Sequence, residues 1–525
     1  MQIVCWECAT TPMSFRDAEP VLYFNDIRPI PTPQAIDMEK FDYFATVLPT
    51  RPVVTSLSLP GKNSAKDINS MDDVPASSWF IPRLGYESIS PDELLNGPTE
   101  LGPPQPPLRV IRVRNPEFNP RLFVYDRREI YYMLKMDPPE YPCIATTTSF
   151  IVNRLFWGFG YNVPEDHLTF FTRDQISIAP DAELSESAID TVLNRVAAPV
   201  VGRYRAIASR ILEGLPLGPT AEKSVRTDDP NDLFPHEDRR VLRALRVFAA
   251  LTNTSDFNAD NTLDMYVGQS GKGYIKHHII DFDDAFGTHA ARHKRLWAGY
   301  NHIFSLKDIA RNLLTTGLIM NDWERISETP WKSVGIFESR IFKPERWKET
   351  HPFAPIRKSQ PADIYWAGKI LGALTKEHIT ALVQAAKYPE PEAEKYIIET
   401  LMERRKKLLR FAVEQVTPVE YMPLSEEMLY FQDMGKSLSG EKVQECSYLV
   451  GFYDSHGHEC ADKRIIREDT PVFSVPLTFV DSLGPEYYLR VDISKQGKKR
   501  SQTIPAQFHF IKKVNSPIHL VGVVH

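Results

Sequence analysis

Short stretches that alternate apolar and polar residues occur at residues 108–114, 121–125 and 130–136. A period of two residues is typical of β-strands, and turn-forming residues separate the three stretches. Because strands that follow one another in sequence tend to pair, we predict an antiparallel meander here. Similar runs at 163–171 and 175–178 predict two more strands of the same small sheet.

Two other stretches have the period of an α-helix. Apolar residues recur every three or four positions over 144–159 and again over 236–251. The first pattern ends at Gly160, a residue type that often terminates helices. Two strand candidates, 262–267 and 274–280, follow the second helix.

The rest of the chain divides into a helical part and a β-rich part. From residue 297 to about 416 we predict a mainly helical region, with clear helical runs at 362–374, 379–386 and 393–416. Beyond residue 416 the alternation returns, at 448–453, 472–480, 487–493 and 508–514. We therefore predict a separate β-rich module at 417–525.

The N-terminal quarter is rich in proline, since 21 of the 42 prolines lie in residues 1–142. Runs such as 103–107 cannot lie inside a helix, because proline lacks the N–H donor and clashes with the preceding turn. We predict that residues 1–104 form an extended arm laid over the body of the protein.

The composition is that of an ordinary globular protein and excludes several functional classes. The 525 residues include 62 Lys and Arg against 68 Asp and Glu, so the net charge of −6 gives no general attraction to nucleic acid. No apolar run approaches the roughly 18 residues that a membrane-spanning helix needs. Five cysteines in a chain of this length exclude a disulfide scaffold.

Four polar residues form the most informative pattern. Asp256 and Asn261 have the offset of the protein-kinase catalytic loop, where the Asp accepts the substrate hydroxyl proton and the Asn binds a metal ion. Asp281 follows a predicted strand, where that fold places its second metal-binding Asp, and Lys135 ends a strand as a phosphate-pairing lysine does. Phosphoryl transfer needs this grouping, because metal ions neutralise the transferred charge while a carboxylate aligns the nucleophile.

Each of these residues also has an ordinary structural interpretation. A lysine at the end of a strand is usually solvated, and Asp256 with Asn258 and Asp260 would serve as turn and capping residues. Asp281 is harder to explain in this way, because an acid directly after apolar residues usually has a partner or an ion. The order of the four residues along the chain favours the kinase-like interpretation.

The sequence also resembles a family of bacterial envelope proteins that carry a kinase-like domain, distantly similar to spore-coat and secretory-pathway kinases. The resembling segments follow the family's order and lie at 71–80, 134–139, 160–165, 228–232, 235–237, 261–264 and 280–282. The resemblance implies an α+β, two-lobed protein-kinase-like fold with an extended N-terminal arm and a C-terminal β-rich module. The predicted regions are the arm, the small lobe, the large lobe and the module, at 1–104, 105–180, 181–416 and 417–525.

The resemblance also implies roles for the four polar residues. Asp256 would be the catalytic residue, Lys135 would bind the nucleotide, and Asn261 and Asp281 would bind the metal ions. The expected cofactors are Mg or Mn together with ATP.

Four departures from the family pattern argue against a fully active kinase. The helix after Lys135 contains no acid, its aligned position being Ser149, so we expect Lys135 to lack its usual ion-pair partner. The loop at 115–121 has no glycine that would let backbone amides approach phosphates. Thr254 stands where histidine is usual, and Asp283 where glycine is usual.

Two functions are compatible with this pattern. The first is a catalytically weak or inactive kinase-like protein that acts as a binding or structural subunit in the bacterial cell envelope, with protein partners at the N-terminal arm or the C-terminal module. The second is an active atypical phosphotransferase that uses ATP with Mg or Mn. We favour the first, because the missing glycines and the missing helix acid remove groups that position the nucleotide.

Other polar clusters have simpler interpretations. The acids of 228–232 could bind calcium, although such a segment before a helix more often caps it. His277, His278 and His289 lie near Asp281, but no third ligand has the spacing of a zinc site. We interpret these histidines as strand and loop residues.

The last prediction from the sequence concerns Cys8. It heads the proline-rich arm in a segment that looks like the mature start of a bacterial lipoprotein, although no complete apolar signal precedes it. We expect a lipid anchor at Cys8, which would place the protein in the periplasm or at the outer membrane; if Met1 is the true unprocessed start, Cys5 and Cys8 are incidental and the protein is cytoplasmic. Mass spectrometry of the native N-terminus tests this, because an intact peptide that begins at Met1 and is unmodified at Cys8 would rule out the anchor.

Overall fold

The protein is a mixed α+β structure, as the sequence predicts. We analysed a computed structural model, which describes residues 15–36, 63–114, 120–289, 291–302, 314, 321–425, 428–438, 445–496 and 504–525. The predicted lipidation site Cys8 and most of the loop 115–121 lie outside the described residues.

A six-stranded sheet forms the first layer of the body. Across the sheet the strands run in the order β4, β6, β3, β2, β1 and β5, and every pair is antiparallel except β1 with β5. The predicted meander is confirmed as β1 to β3. The strands are β1 (Leu108–Arg114), β2 (Arg121–Tyr125), β3 (Tyr131–Lys135), β4 (Asp166–Phe171), β5 (Ile176–Ile178) and β6 (Tyr204–Arg210).

The alternating pattern did not predict β6, although this strand lies inside the sheet between β4 and β3. Its sequence contains two alanines and two arginines and only one β-branched residue, so its local preference for a strand is low. Ala206 and Ala208 are nevertheless fully buried under neighbouring side chains. Pairing with a strand on each side therefore determines the conformation of this segment.

Helix α2 (Ile144–Gly158) packs on the sheet and is buried along almost its whole length. It begins after Cys143, whose φ of 68° is left-handed. The Asp137 carboxylate accepts hydrogen bonds from the first N–H groups of the helix, those of Ala145 at 2.8 Å and Thr146 at 3.0 Å. Because Asp137 lies in the connection that follows β3, these hydrogen bonds tie the start of the helix to the end of the strand.

The second layer is helical and shares one large apolar core with α2. The predicted helix over 236–251 is broken into a 3₁₀ turn and two helices. The break has a long-range cause, because the distant Asp67 carboxylate caps a new helix by accepting the N–H of Arg240 at 2.5 Å. The remaining helices of the body are α1 (Pro91–Asn96), α3 (Glu186–Leu193), α4 (Arg240–Arg243), α5 (Leu245–Thr252), α6 (Ala354–Arg357), α7 (Pro361–Gly372), α8 (Lys376–Ala385) and α9 (Pro391–Val413).

The prediction of a mainly helical region from residue 297 is wrong for residues 321–353. These residues form only the 3₁₀ turns Asp322–Arg325 and Pro344–Arg346. Prolines interrupt the segment, and its aromatic side chains, such as Phe342 and Trp347, fill the core from an irregular backbone. Apolar content alone therefore did not indicate the backbone conformation.

The C-terminal part contains two antiparallel sheets around one apolar core. One sheet has the order β12, β13, β16, and the other the order β15, β14, β17, β18, β19. Strands lie where the alternation predicted them, whereas the boundaries of the four predicted regions stay predictions. The elements are β12 (Val419–Met422), β13 (Met428–Asp433), α10 (Met434–Leu438), β14 (Cys446–Tyr453), β15 (Glu459–Glu468), β16 (Val472–Pro476), β17 (Tyr487–Gln496), β18 (Ala506–Lys512) and β19 (His519–Val524).

Polar contacts join this C-terminal part to the body. His525 lies 3.0 Å from the carboxylate of Asp72, and the Tyr365 hydroxyl donates to Glu420 at 2.8 Å. The described part of the arm contributes too, because the N–H of Phe15 donates to the Tyr488 hydroxyl at 2.9 Å. Among the described helices, none has both the length and the apolar character needed to cross a membrane.

Candidate functional site

The site lies where the six-stranded sheet meets a smaller sheet. The smaller sheet consists of β7 (Leu215–Gly218), β8 (Thr262–Val267) and β9 (Tyr274–Ile279), all antiparallel. Asp281 follows β9 directly, and Lys135 is the last residue of β3. The ends of two strands from different sheets therefore bring these two predicted residues together.

Lys135 forms the central ion pair of the site. Its Nζ lies 2.5 Å from Oδ1 of Asp281 and 3.4 Å from Oδ2 of Asp283, and its side chain is only 11% exposed. The helix acid that usually pairs with this lysine is absent, as the sequence predicts, and two acids after β9 pair with Lys135 in its place. Burial alone would lower the pKa of Lys135, but the two carboxylates outweigh it and raise that pKa.

The site shifts the pKa values of the two carboxylates in opposite directions. Burial works against the charge of Asp281, yet the Lys135 ammonium lowers the pKa of Asp281 below its usual value. Burial and the charge of Asp281 raise the pKa of Asp283 to about 7. Asp281 also has a left-handed φ of 63°, which is unusual for a residue other than glycine and typical of functional sites.

A cavity of about 290 Å³ opens beside this ion pair. Its polar side chains are those of Lys135, Asp281, Asp166, Arg121, Arg210 and the serines of α2 and β6. Aliphatic side chains from both sheets form the remaining walls, namely Met133, Ile207, Ile211, Leu212, Leu263, Met265 and Ile280. A slot with apolar walls and a charged end is the usual form of a small-molecule site.

Asp166 is a candidate functional residue that the sequence patterns did not reveal. It begins β4, lines the cavity, and one of its buried oxygens, Oδ1, has no hydrogen-bond partner among the described residues. Burial raises the pKa of Asp166 to about 6. The sign of this residue in the sequence was an acid at the start of an apolar strand. Burying such an acid costs free energy unless a partner or a ligand compensates it.

Asp256 belongs to a second polar cluster, with Asp284 and His289. The ligand atoms of these three side chains all lie within 4.8 Å of one another. Nδ1 of His289 is 3.1 Å from Asp284 Oδ2 and 3.8 Å from Asp256 Oδ2, and Nε2 of His351 lies 3.6 Å from Asp256 Oδ1. Burial raises the pKa of Asp256 to about 6. The three side chains could hold a divalent cation.

The sequence patterns did not indicate the roles of Asp284 and His289 in this cluster. His289 was interpreted as a strand or loop residue near Asp281, and it does lie in the two-residue strand β10 (Thr288–His289), which pairs with β11 (Arg292–His293). The sequence does not show that this short hairpin brings His289 close to Asp256. The dense acids after β9 were the one local sign of a charged site.

Asn261 makes contacts that fit the turn-and-cap interpretation. Its Oδ1 accepts the N–H of Asn258 at 3.1 Å within the 3₁₀ turn Ala259–Asn261. Its backbone carbonyl accepts the N–H of Ile280 at 2.8 Å, which ties it to the residue before Asp281. The structure therefore connects Asn261 and Asp281 through the backbone, while the amide oxygen takes part in the local turn.

The remaining clusters from the sequence have structural contacts. Asp232 pairs with Nε2 of His236 at 2.7 Å and with Arg239 at 2.5 Å, so protein donors surround this acid. His277 stacks on Trp79 at 3.5 Å between ring centroids, and its Nδ1 lies 2.7 Å from the carboxylate of Asp264. These contacts stabilise the body and leave the cavity and the Asp256 cluster as the candidate site.

Comparisons with known proteins give little beyond this geometry. No family model matches the chain, and no curated protein matches it. A solved structure described as the crystal structure of the Golgi casein kinase overlaps 59% of this chain and 76% of that chain, with 9% identity and a TM-score of 0.29. A TM-score of this size carries no argument, so the interpretation depends on the site itself.

We predict that Asp166→Asn stabilises the protein at high pH only. Below the usual pKa of 3.8 the carboxyl is protonated in both the folded and the unfolded chain; as the pH rises from 3.8 to about 6, the wild type loses stability because ionisation favours the unfolded chain. The variant should avoid this loss and gain up to about 3 kcal/mol at pH 8 but less than about 1 kcal/mol at pH 4.

Melting temperatures at pH 4 and pH 8 measure this effect. Asp174→Asn, at an exposed position, is the matched control and should leave both values unchanged. An equal gain for Asp166→Asn at both pH values would contradict the explanation.

Proposed function

We propose that this chain is a kinase-like protein whose cleft binds a nucleoside triphosphate with Mg or Mn, and that it acts mainly as a binding subunit with weak or no phosphoryl transfer. The observation that carries the proposal is the pairing of Lys135 with Asp281 and Asp283 at the charged end of an apolar cavity. The ligand, the metal ion and the low activity are each supported by further features of the cleft.

The cavity suits a nucleotide. Aliphatic walls such as Leu263 and Ile207 match the flat, apolar faces of a base, and Lys135 matches phosphate oxygens. Arg121 is another cation of the lining, and its guanidinium can bind two phosphate oxygens at once. The volume of about 290 Å³ lies near the lower limit for small-molecule sites, so part of the nucleotide would extend beyond it.

Metal binding is supported by the carboxylates around the cleft. Asp281 is the most accessible member of the ion pair, with 38% of its side chain exposed. Asp256, Asp284 and His289 offer a second set of ligand atoms. Because Mg²⁺ prefers oxygen ligands in strict octahedral geometry, the imidazole of His289 favours Mn²⁺ at that cluster.

Low activity is supported by the competition between Lys135 and a metal ion for the carboxylate of Asp281. In a kinase site, a helix glutamate holds the lysine while the Asp binds the metal ion. Here the lysine has no such glutamate and pairs with the carboxylates that a metal ion would also require. Binding of a metal nucleotide must then break this ion pair, which weakens the positioning on which phosphoryl transfer depends.

A second candidate function is an active atypical phosphotransferase. The specific observation in its favour is Asp256, a largely buried carboxylate whose pKa of about 6 suits a general base, beside further ligands for a metal ion.

The envelope location and the lipid anchor at Cys8 belong to the same overall proposal and rest on the sequence resemblance. Protein partners would bind at the arm or at the C-terminal module.

We predict that Mn-ATP or Mg-ATP raises the melting temperature of the wild type, because a ligand that binds only the folded state stabilises it. Lys135→Met should weaken the affinity by at least about tenfold, since it removes one of the cations that line the cavity. Lys395→Met, at an exposed position on α9, is the matched control and should bind as the wild type does.

Each variant is compared with its own ligand-free melting temperature, because Lys135→Met leaves two carboxylates without their lysine. Isothermal titration of the nucleotide at fixed metal concentration gives the affinities. No shift of the wild type at millimolar metal nucleotide would overturn the proposed binding function.

The level of ATP turnover distinguishes the two candidate functions. We expect a turnover well below the roughly 1 s⁻¹ at which slow protein kinases operate. If turnover reaches that level and falls by orders of magnitude in Asp256→Asn, but not in the exposed control Asp322→Asn, the active phosphotransferase is correct. Turnover that is equal in all three proteins would indicate a contaminating enzyme.

A further inference from the structure

The turn between β14 and β15 carries a second group of metal-ligating side chains, remote in sequence from the cleft. Its residues include Asp454, His456 and His458, and their ligand atoms lie within 4.8 Å of one another. The turn belongs to the C-terminal module.

The backbone of this turn is held in one conformation by Asp454. Its Oδ1 accepts the N–H groups of His456 at 2.8 Å and His458 at 2.9 Å, and its own N–H donates to the carbonyl of His458 at 2.9 Å. Gly457 has a φ of 85°, which a residue with a side chain rarely adopts. The two imidazoles are therefore attached to a backbone that is already ordered.

The other oxygen of Asp454 faces both imidazoles. Its Oδ2 lies 3.1 Å from Nδ1 of His458 and 4.0 Å from Nδ1 of His456. Around one ion with ligand bonds of about 2.1 Å, neighbouring ligand atoms are separated by roughly 3 to 4 Å. The two separations from Oδ2 match this geometry, and all three ligand atoms lie within 4.8 Å of one another.

The chemistry of the ligands indicates the class of metal ion. Two imidazoles and one carboxylate suit late divalent transition metals, whose affinities increase toward Cu²⁺ and remain high for Zn²⁺. Mg²⁺ is unsuited to such a set, because it prefers oxygen ligands. The histidine side chains are 77% and 79% exposed, so an ion reaches them without passing through the protein.

We infer that the turn formed by Asp454, His456 and His458 is a surface binding site for a divalent transition-metal ion, with Zn²⁺ and Cu²⁺ as its natural class. Three protein ligands leave at least one coordination position for water or for a group from a partner. This site is separate from the cleft and does not depend on nucleotide binding there. The competing explanation is a plain surface hydrogen bond between Asp454 and His458.

The experiment titrates ZnCl₂ into the full chain without a histidine tag, in buffer with saturating Mg²⁺. We expect the double variant His456→Ala/His458→Ala to bind one zinc ion fewer than the wild type. In each single variant the affinity of this site for zinc should fall at least about tenfold. His519→Ala, in the same module and hydrogen-bonded to Asp17, is the matched control and should bind as the wild type does.

Two further readouts make the result specific. With one equivalent of CuCl₂, electron paramagnetic resonance should show coupling to two imidazole nitrogens, which disappears in the double variant. The substitutions lie at exposed positions, so the metal-free melting temperatures should not change. Equal zinc stoichiometry and affinity in the wild type and the double variant would overturn the inference.

Discussion

The ion pair between the buried Lys135 and the two acids after β9 is the interaction on which the site depends. It joins the end of a strand in the six-stranded sheet to the end of a strand in the smaller sheet. Taking such charges out of water is costly, and only a close opposite charge compensates it. Loss of the lysine would leave Asp281 and Asp283 as neighbouring acids beside an apolar cavity. The pair therefore fixes the geometry of the cleft and the charge that a ligand meets there.

This constraint favours the proposed binding role over fast catalysis. Under that proposal a metal nucleotide would have to take Asp281 from Lys135, so part of the binding free energy would be used to break an existing contact. Burial and repulsion by the charge of Asp281 raise the pKa of Asp283. A cation entering the cleft would relieve this repulsion, which favours occupancy. It does not by itself orient a nucleophile; under the proposed function that task would fall to Asp256, in its separate cluster.

The sequence predicted those features that depend on local pattern. The strands around Lys135 and before Asp281 follow from alternation, and Lys135 lies at the end of one strand and Asp281 just after another, as expected. Features that depend on distant parts of the chain were missed. The strand β6 is held by its neighbours against a low local preference, and the distant Asp67 divides a predicted helix. The partners of Lys135 and of Asp256 likewise come from the segment after β9, which local periodicity does not describe.

The C-terminal module extends the argument for a binding role. The module is joined to the body through buried contacts such as that of His525 with Asp72, so a partner bound to it would be fixed relative to the cleft. Strand β15 lies at the edge of its sheet and carries many charged residues, among them Lys463 and Arg464, which discourage uncontrolled pairing with other strands. At one end of this protected edge, the Asp454 turn offers exposed ligands with an open coordination position. A metal ion bound there would attach a specific partner to the module, while the charged edge strand discourages non-specific pairing with other strands.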